Sequence, residues 1–348
     1  MVASLPKTML VSVLLGRLQM EVQEVPVPDV PPGGILIRVR SVGICGSDVV
    51  KIRTTSSQAP RVIGHEVAGE VVFADQWGTH GFNKGDRVVV GHVHIPCMHC
   101  TYCRHGSLAM CKSFKASHIE PGGYAQYVAL SSDHTAHSVL AIPEGLSYDE
   151  ATFVDPVACC LRAISRSEVT ALDRVGVMGA GTMGGLFLQI LRQLQTETFA
   201  IEVSPTRLLA AQRFGAEHMV AASGIDVAGE VLRHSDGEGL DAVILTVVSQ
   251  ETLELALSIV RDGGILCLFA APMTGDPLRV DPYQLFRREL SVRSSYSASL
   301  VDIGNALRWI HSRKVNVAGM ITGECDLQGI LPAVLAMDDL TYKVILHP

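Results

Sequence analysis

Four cysteines, Cys97, Cys100, Cys103 and Cys111, fall in one 15-residue stretch with the spacing Cys-x2-Cys-x2-Cys-x7-Cys. Four thiolates this close in sequence can surround one tetrahedral zinc and leave no ligand position for water. Such a closed site holds a loop in shape and performs no chemistry. Bacterial ferredoxins share the opening of the pattern, but their fourth cysteine follows after three residues, with proline next. Here seven residues intervene and Lys112 follows. Zinc is therefore the expected metal of a lobe spanning about residues 92–115, ahead of an iron–sulfur cluster or unligated thiols.

The chain has 348 residues, enough for two domains of ordinary size. Its 48% hydrophobic and 18% charged content allows large buried cores. A net charge of −7, with no basic cluster, argues against nucleic acid as a partner. The apolar run Met9 to Leu15 follows a single lysine and precedes no A-x-A-like cleavage site, so it is expected as a first strand rather than a signal peptide. No run approaches the ~18 uninterrupted apolar residues of a membrane span. Nine cysteines without a signal, four of them in a metal pattern, point to a reducing cytoplasm.

The texture of the chain changes near Thr152. Before it, short β-rich runs such as Ile35-Leu-Ile-Arg-Val-Arg-Ser-Val and Val67-Ala-Gly-Glu-Val-Val-Phe alternate with turn signals. After it, strand and helix patterns alternate, as a parallel sheet requires. Strands are expected at 175–178, 199–203, 218–222, 242–248 and 265–270, with helices at 183–194, from Pro205, at 251–261 and around 303–310.

Gly179-Ala-Gly181-Thr182-Met183-Gly184 is a G-x-G-x-x-G string between a strand and a helix. Gly179 permits a tight turn, Gly181 lets the backbone approach a pyrophosphate, and Gly184 allows close helix–strand packing. Thr182 and Met183 open the helix whose unpaired N–H groups would face the phosphates. Glu202 ends the next strand, about 20 residues on, where a carboxylate accepts the ribose hydroxyls of NAD and repels a 2′-phosphate. Arg207 lies nearby and is the side chain that would accept such a phosphate instead. The plainer alternative makes Glu202 a solvated acid and Arg207 part of a helix face.

Taken in order, Cys45-Gly-Ser-Asp48, Gly64-His-Glu66, the cysteine lobe, Gly122-Gly-Tyr-Ala and the glycine string resemble the zinc-dependent medium-chain alcohol dehydrogenases. The resemblance spans nearly the whole chain and is closest to the polyol branch of sorbitol, galactitol-phosphate and threonine dehydrogenase-like proteins. It implies a Rossmann doubly wound parallel sheet at 154–290 and a β-rich GroES-like catalytic domain at 1–153, completed by a return segment at 291–348. It also implies a catalytic zinc on Cys45 and His65, with Glu66 a ligand in polyol relatives, and NAD(H) as cofactor. Asp155 stands where polyol relatives carry a glutamate that reaches zinc directly or through water. The shorter side chain favours the bridging water. Ser47 would bind the substrate hydroxyl. Val50 replaces a histidine that relays the proton in relatives, and His94 matches a histidine near the site in threonine dehydrogenase-like chains.

The reaction expected is interconversion of a secondary alcohol (a polyol, cyclitol or amino alcohol) and its ketone, in a cytoplasmic dimer or tetramer. A reductase working in a biosynthetic pathway stays open, and so do two other classes. One is a zinc-stabilised NAD-binding protein without turnover, its site decayed at Asp155 and Val50. The other is a zinc-free quinone reductase, which the retained Cys45, His65 and Glu66 disfavour. Two zincs per chain mark the enzyme, and one zinc marks the binding protein.

Overall fold

Valine and isoleucine recur through the first part of the chain, and there they form strands whose inward residues are almost wholly buried. The structure is a computed structural model and describes residues 5–55, 60–75, 80–223, 226–272 and 277–348. It divides into two units. The first comprises Met1–Ala158, Ala298–Arg313 and Val317–Pro348; the second comprises Cys159–Ser297 and Lys314–Asn316.

In the first unit the main sheet runs, edge to edge, through Ile321–Cys325, Lys343–Leu346, Ile35–Gly43, Glu66–Ala74, Arg87–Val90 and Val139–Ala141, with Tyr127–Leu130 also paired to Ile35–Gly43. A smaller sheet joins Gln19–Pro26, Thr8–Gly16 and Arg61–Val62. Ile35, Ile37, Val39, Val67, Val71, Val88 and Val90 pack into one core. The apolar run Met9 to Leu15 lies within the Thr8–Gly16 strand. Glu66 and Gly43 are register partners, and Gly43 also pairs with Ile345 on its other side. Residues far apart in sequence therefore meet on one row of the sheet.

In the second unit the strands are parallel and ordered His218–Ala221, Glu197–Glu202, Arg174–Met178, Leu240–Leu245, Val260–Leu268 and Ser291–Ser294. In chain order this is 3-2-1-4-5-6, the doubly wound arrangement that binds a dinucleotide where the strand order reverses. The central strands Arg174–Met178 and Leu240–Leu245 are mostly apolar and buried, as parallel strands covered on both faces are.

Several element boundaries differ from the sequence expectation by one to five residues, as where the strand expected at 242–248 is Leu240–Leu245, and two of the shifts have a clear physical reason. The helix expected over 251–261 ends at Ile259, and Val260–Leu268 is already strand. Val260 pairs with Leu240, and the Arg261 side chain donates to Asp241 at 2.6 Å, so sheet pairing overrides the helical pattern. Ser291–Ser294 pairs with Val260–Leu268, so the second sheet continues past residue 290, where the return segment was expected to begin. As an edge strand of alternating exposure it carries no apolar run to announce it. Among the described residues, no helix is long and apolar enough to cross a membrane.

Candidate metal centres and dinucleotide site

The cysteine lobe is built from short pieces: Thr101–Arg104, Leu108–Met110 and Lys112–Ala116. They bring the Sγ atoms of Cys97, Cys100, Cys103 and Cys111 within 4.8 Å of one another. Cys100 and Cys103 are 3.5 Å apart at sulfur, and the Cys97 N–H donates to Cys111 Sγ at 3.4 Å. A ZnS4 tetrahedron with bonds of ~2.3 Å has edges of about 3.8 Å. The quartet fits zinc with little adjustment, and Phe114 and Ala109 pack beneath it.

A second grouping joins Cys45, His65 and Glu66, whose ligand atoms also lie within 4.8 Å of one another. Cys45 precedes the helix Gly46–Thr54, and the Ser47 hydroxyl donates to its Sγ at 3.4 Å. His65 Nδ1 lies 3.2 Å from Asp48 Oδ2. An ionised carboxylate only accepts, so Nδ1 donates and Nε2 is the nitrogen left to face a cation, a metal in place of a proton. Asp48 is fully buried and also accepts from Lys51 at 2.9 Å and from the Tyr124 hydroxyl at 3.3 Å. Burial alone would raise the Asp48 pKa, but His65 and Lys51 outweigh it and hold the carboxyl well below the usual range. Burial likewise pulls the His65 pKa down, yet Asp48 and Cys45 raise it well above normal. The negative field that does this favours a cation at Nε2.

Gly64 is required at the start of this run. Its φ is +94°, and a Cβ there would come 2.4 Å from the Tyr124 ring.

Glu66 is 1% exposed at its side chain. Its Oε2 accepts from Lys343 Nζ at 2.6 Å, while Oε1 is buried without a hydrogen-bond partner. Burial lowers the Lys343 pKa, but Glu66 and Cys45 more than offset it, so the ammonium stays charged. Thiolate, imidazole and carboxylate are ligand types that zinc takes, and three of them leave a position open for substrate. The orphaned Oε1 supports a cation there. A metal fits this site.

Asp155 sits in the first turn of the helix Val154–Arg166, buried, with its pKa raised by that burial. The three-residue grouping does not include it; its Oδ1 is 3.8 Å from His92 Nε2. The His92 ring accepts the His94 N–H at Nδ1 (3.0 Å), so its proton is on Nε2, toward Asp155. Burial and the nearby His65 lower the His92 pKa to about 3, which keeps the ring neutral. His94 belongs to the lobe side. Its Nδ1 donates to the Ser117 carbonyl at 2.5 Å, its ring meets His118 edge-on, and burial lowers its pKa to about 4. Val50 is exposed.

In the second unit, Gly179 adopts φ +91° directly after the Arg174–Met178 strand, and Gly181 caps the helix Thr182–Gln193. A Cβ on Gly184 would lie 1.9 Å from the Gly179 carbonyl oxygen. Thr182 and Met183 are half-buried at the helix start. Glu202 is buried and holds the loop: Oε2 accepts from the Ala180 N–H at 2.7 Å, and Oε1 from the Val203 and Ser204 N–H groups at 2.8 and 2.9 Å. The Arg207 guanidinium lies over Gly181, 3.9 Å from where a Cβ would stand.

Comparison with known proteins identifies the family. Residues 31–144 match the alcohol dehydrogenase GroES-like domain, and residues 182–312 match the zinc-binding dehydrogenase domain. A D-altritol 5-dehydrogenase of Agrobacterium fabrum (strain C58) is 30% identical over 318 residues, 89% of this chain and 90% of that protein. The chain belongs to the zinc-binding dehydrogenase family. A sorbitol dehydrogenase of Bacillus subtilis (strain 168) is 29% identical over 82% of this chain and 84% of its own. A zinc-binding dehydrogenase from Sinorhizobium meliloti 1021, solved with NADP bound, superposes with a TM-score of 0.88 at 25% identity, covering 99% of this chain and 100% of that one. As a zinc-binding dehydrogenase, the chain is an alcohol oxidoreductase that uses zinc and a nicotinamide dinucleotide.

Two features near the zinc-binding dehydrogenase centre escaped the sequence reading, Lys343 and the space over Gly43, and two residues lay in segments already singled out but without the roles seen here, Tyr124 and His92. Lys343 carried a signal, since it is a lone cation at the head of the apolar run Val344-Ile-Leu. Tyr124 lay in the Gly122-Gly-Tyr-Ala motif, and the space over Gly43 carried no signal.

Proposed function

We propose that this dehydrogenase acts on a polyol or a related secondary alcohol, with NAD(H) as its redox partner. The observation that carries the metal part is the Cys45–His65–Glu66 grouping with its orphaned Glu66 oxygen. Relatives named for altritol and sorbitol support the substrate class. Zinc bound there would lower the pKa of a coordinated hydroxyl, and the nicotinamide would take the hydride from the carbinol carbon.

The chain's own residues do the rest. Cys45, His65 and Glu66 would hold the metal, and Asp48 fixes the His65 tautomer. Ser47 offers its hydroxyl to the substrate oxygen. Asp155 acts from just outside the metal through a bridging water, its Oδ1 3.8 Å from His92 Nε2. His94 is the candidate proton acceptor through Nε2, since its Nδ1–H is committed to Ser117, and with a pKa lowered to about 4 it would pass a proton on rather than keep it. Gly179, Gly181 and Gly184 shape the loop for the pyrophosphate, and the Glu202 charge disfavours a 2′-phosphate. Assembly as a homodimer or tetramer in the cytoplasm follows from the family resemblance.

The test is a panel of polyols, cyclitols, amino alcohols and simple secondary alcohols with NAD and NADP, read at the reduced-nicotinamide absorbance. Turnover of a polyol with NAD at a higher kcat/KM than any monohydric alcohol is expected. Preference for a simple secondary alcohol, or for NADP, would overturn the substrate or the cofactor assignment respectively.

A further inference from the structure

Lys343 heads the strand Lys343–Leu346, where every other residue is Val, Ile or Leu, and only 3% of it is exposed. A lysine almost never stays fully buried unless it is paired. Its Nζ donates to Glu66 Oε2 at 2.6 Å, with the Phe153 ring beside it.

Gly43 makes that reach possible. The strand Ile35–Gly43 lies between Glu66–Ala74 and Lys343–Leu346, and Gly43 pairs with Glu66 on one side and Ile345 on the other. A Cβ on Gly43 would come 2.0 Å from Glu66 Oε2. The Glu66 carboxylate therefore lies flat across the glycine and meets a lysine from two strands away. This commits Oε2 and leaves Oε1 as the buried oxygen with no hydrogen-bond partner. A buried acceptor left unmatched is costly unless something else binds it. Stability alone does not account for the pair, because two well-packed apolar residues of similar volume would serve the fold as well.

We propose that Lys343, reaching across Gly43, is a positioning residue that fixes Glu66 as a one-oxygen ligand of the metal held by Cys45 and His65. The proposal rests on reading that grouping as a metal centre. Lys343 touches neither substrate nor cofactor in this role. It occupies one carboxylate oxygen so that the other points at the metal, and it keeps Glu66 from closing the coordination sphere with both.

The experiment measures metal affinity on the full chain by competition for zinc with a chromophoric chelator. The four-cysteine lobe serves as an internal reference for folding. Cobalt in place of zinc adds a visible spectrum that reports coordination number. Lys343→Met should weaken the second site about 10- to 100-fold, as loss of a ligand's supporting partner does elsewhere, and alter its cobalt spectrum. Lys343→Arg should preserve both, and the lobe metal should be unaffected in either variant. Gly43→Ala, which displaces Oε2 without removing the lysine, should lose affinity in the same direction.

A double-mutant cycle keeps the test sound if the single variant folds poorly. In a Glu66→Gln background, where both buried charges can be removed together, Lys343→Met should add no further loss. An equal loss in that background, or wild-type affinity and spectrum in Lys343→Met itself, would overturn the proposal. A wild-type chain that binds metal only at the lobe would instead remove the metal reading on which it rests.

Discussion

Gly184→Ala is the smallest change that tests how the glycine loop works. Gly184 is buried in the helix Thr182–Gln193, and an added Cβ would stand 1.9 Å from the Gly179 carbonyl oxygen and 2.9 Å from its carbon. The contact is with backbone, so no rotamer change relieves it. Ordinary contact begins near 3.4 Å, so helix and loop must part by about 1.5 Å in an interior packed to crystal-like density. The helix is held by Leu186, Phe187, Leu188, Ile190 and Leu191, all fully buried. The loop is tied to Glu202 through the Ala180 N–H and to Thr246 through the Gly179 carbonyl. Forcing them apart should cost ~2–3 kcal/mol, the upper part of the range for overpacking. A loop displaced this far should also lose at least one charge-assisted hydrogen bond to the pyrophosphate, ~1.5–3 kcal/mol, which raises the dinucleotide Kd roughly 10- to 100-fold. Thermal melts and a fluorescence titration with NADH and NADPH measure the two effects. Gly304→Ala is the control: it lies in the helix Leu300–His311 with nothing within 4 Å of its added Cβ, and should gain ~0.5–1 kcal/mol without changing Kd. A Gly184→Ala protein that melts and binds like the wild type would refute the steric argument.

Other outcomes follow from the same contacts. Glu202→Gln cannot accept all three backbone N–H groups, so binding of both dinucleotides should weaken, by roughly tenfold for NADH. NADPH should suffer less because a repelling charge is gone; an unchanged NADH to NADPH ratio, measured by titration, would contradict the charge argument. Glu150 accepts from Ser147, in a capping box, and from Arg313, and these outweigh the burial that would raise its pKa, leaving it lowered. A lowered folded-state pKa contributes stability above the unfolded value near 4.5, and that contribution disappears as pH falls through the folded value. Glu150→Gln should therefore cost ~1 kcal/mol at pH 7 and progressively less below pH 4.5, as followed by denaturant titration. A cost that is constant with pH would show that the charge is not involved.

Much of this was legible because it is local in sequence. The cysteine lobe closes within 15 residues and the glycine loop within six, so spacing alone marked both. Strands buried on both faces announced themselves as apolar runs, whereas the edge strand Ser291–Ser294 did not. What escaped was assembled by strand register. Lys343 meets Glu66 across 277 positions, and Tyr124 meets Asp48 across 76. No periodicity connects such pairs, and the space over Gly43 exists only once two neighbouring strands are in place. Glu202 shows a subtler limit. Its type and spacing suggested a ribose acceptor, but the fold also turns its carboxylate back onto three N–H groups at the loop and strand end. The sequence could propose its charge, not this clasp.

The central claim is that two metals serve one chain in different ways, the cysteine quartet closed and the Cys45–His65–Glu66 grouping open to substrate. Metal content and turnover of Cys45→Ser, measured beside the wild type, test it most directly. Two zincs per chain are expected in the wild type, and in the variant one zinc, an intact fold and no alcohol oxidation. A variant that keeps wild-type turnover, or an active wild type with a single zinc at the lobe, would contradict it.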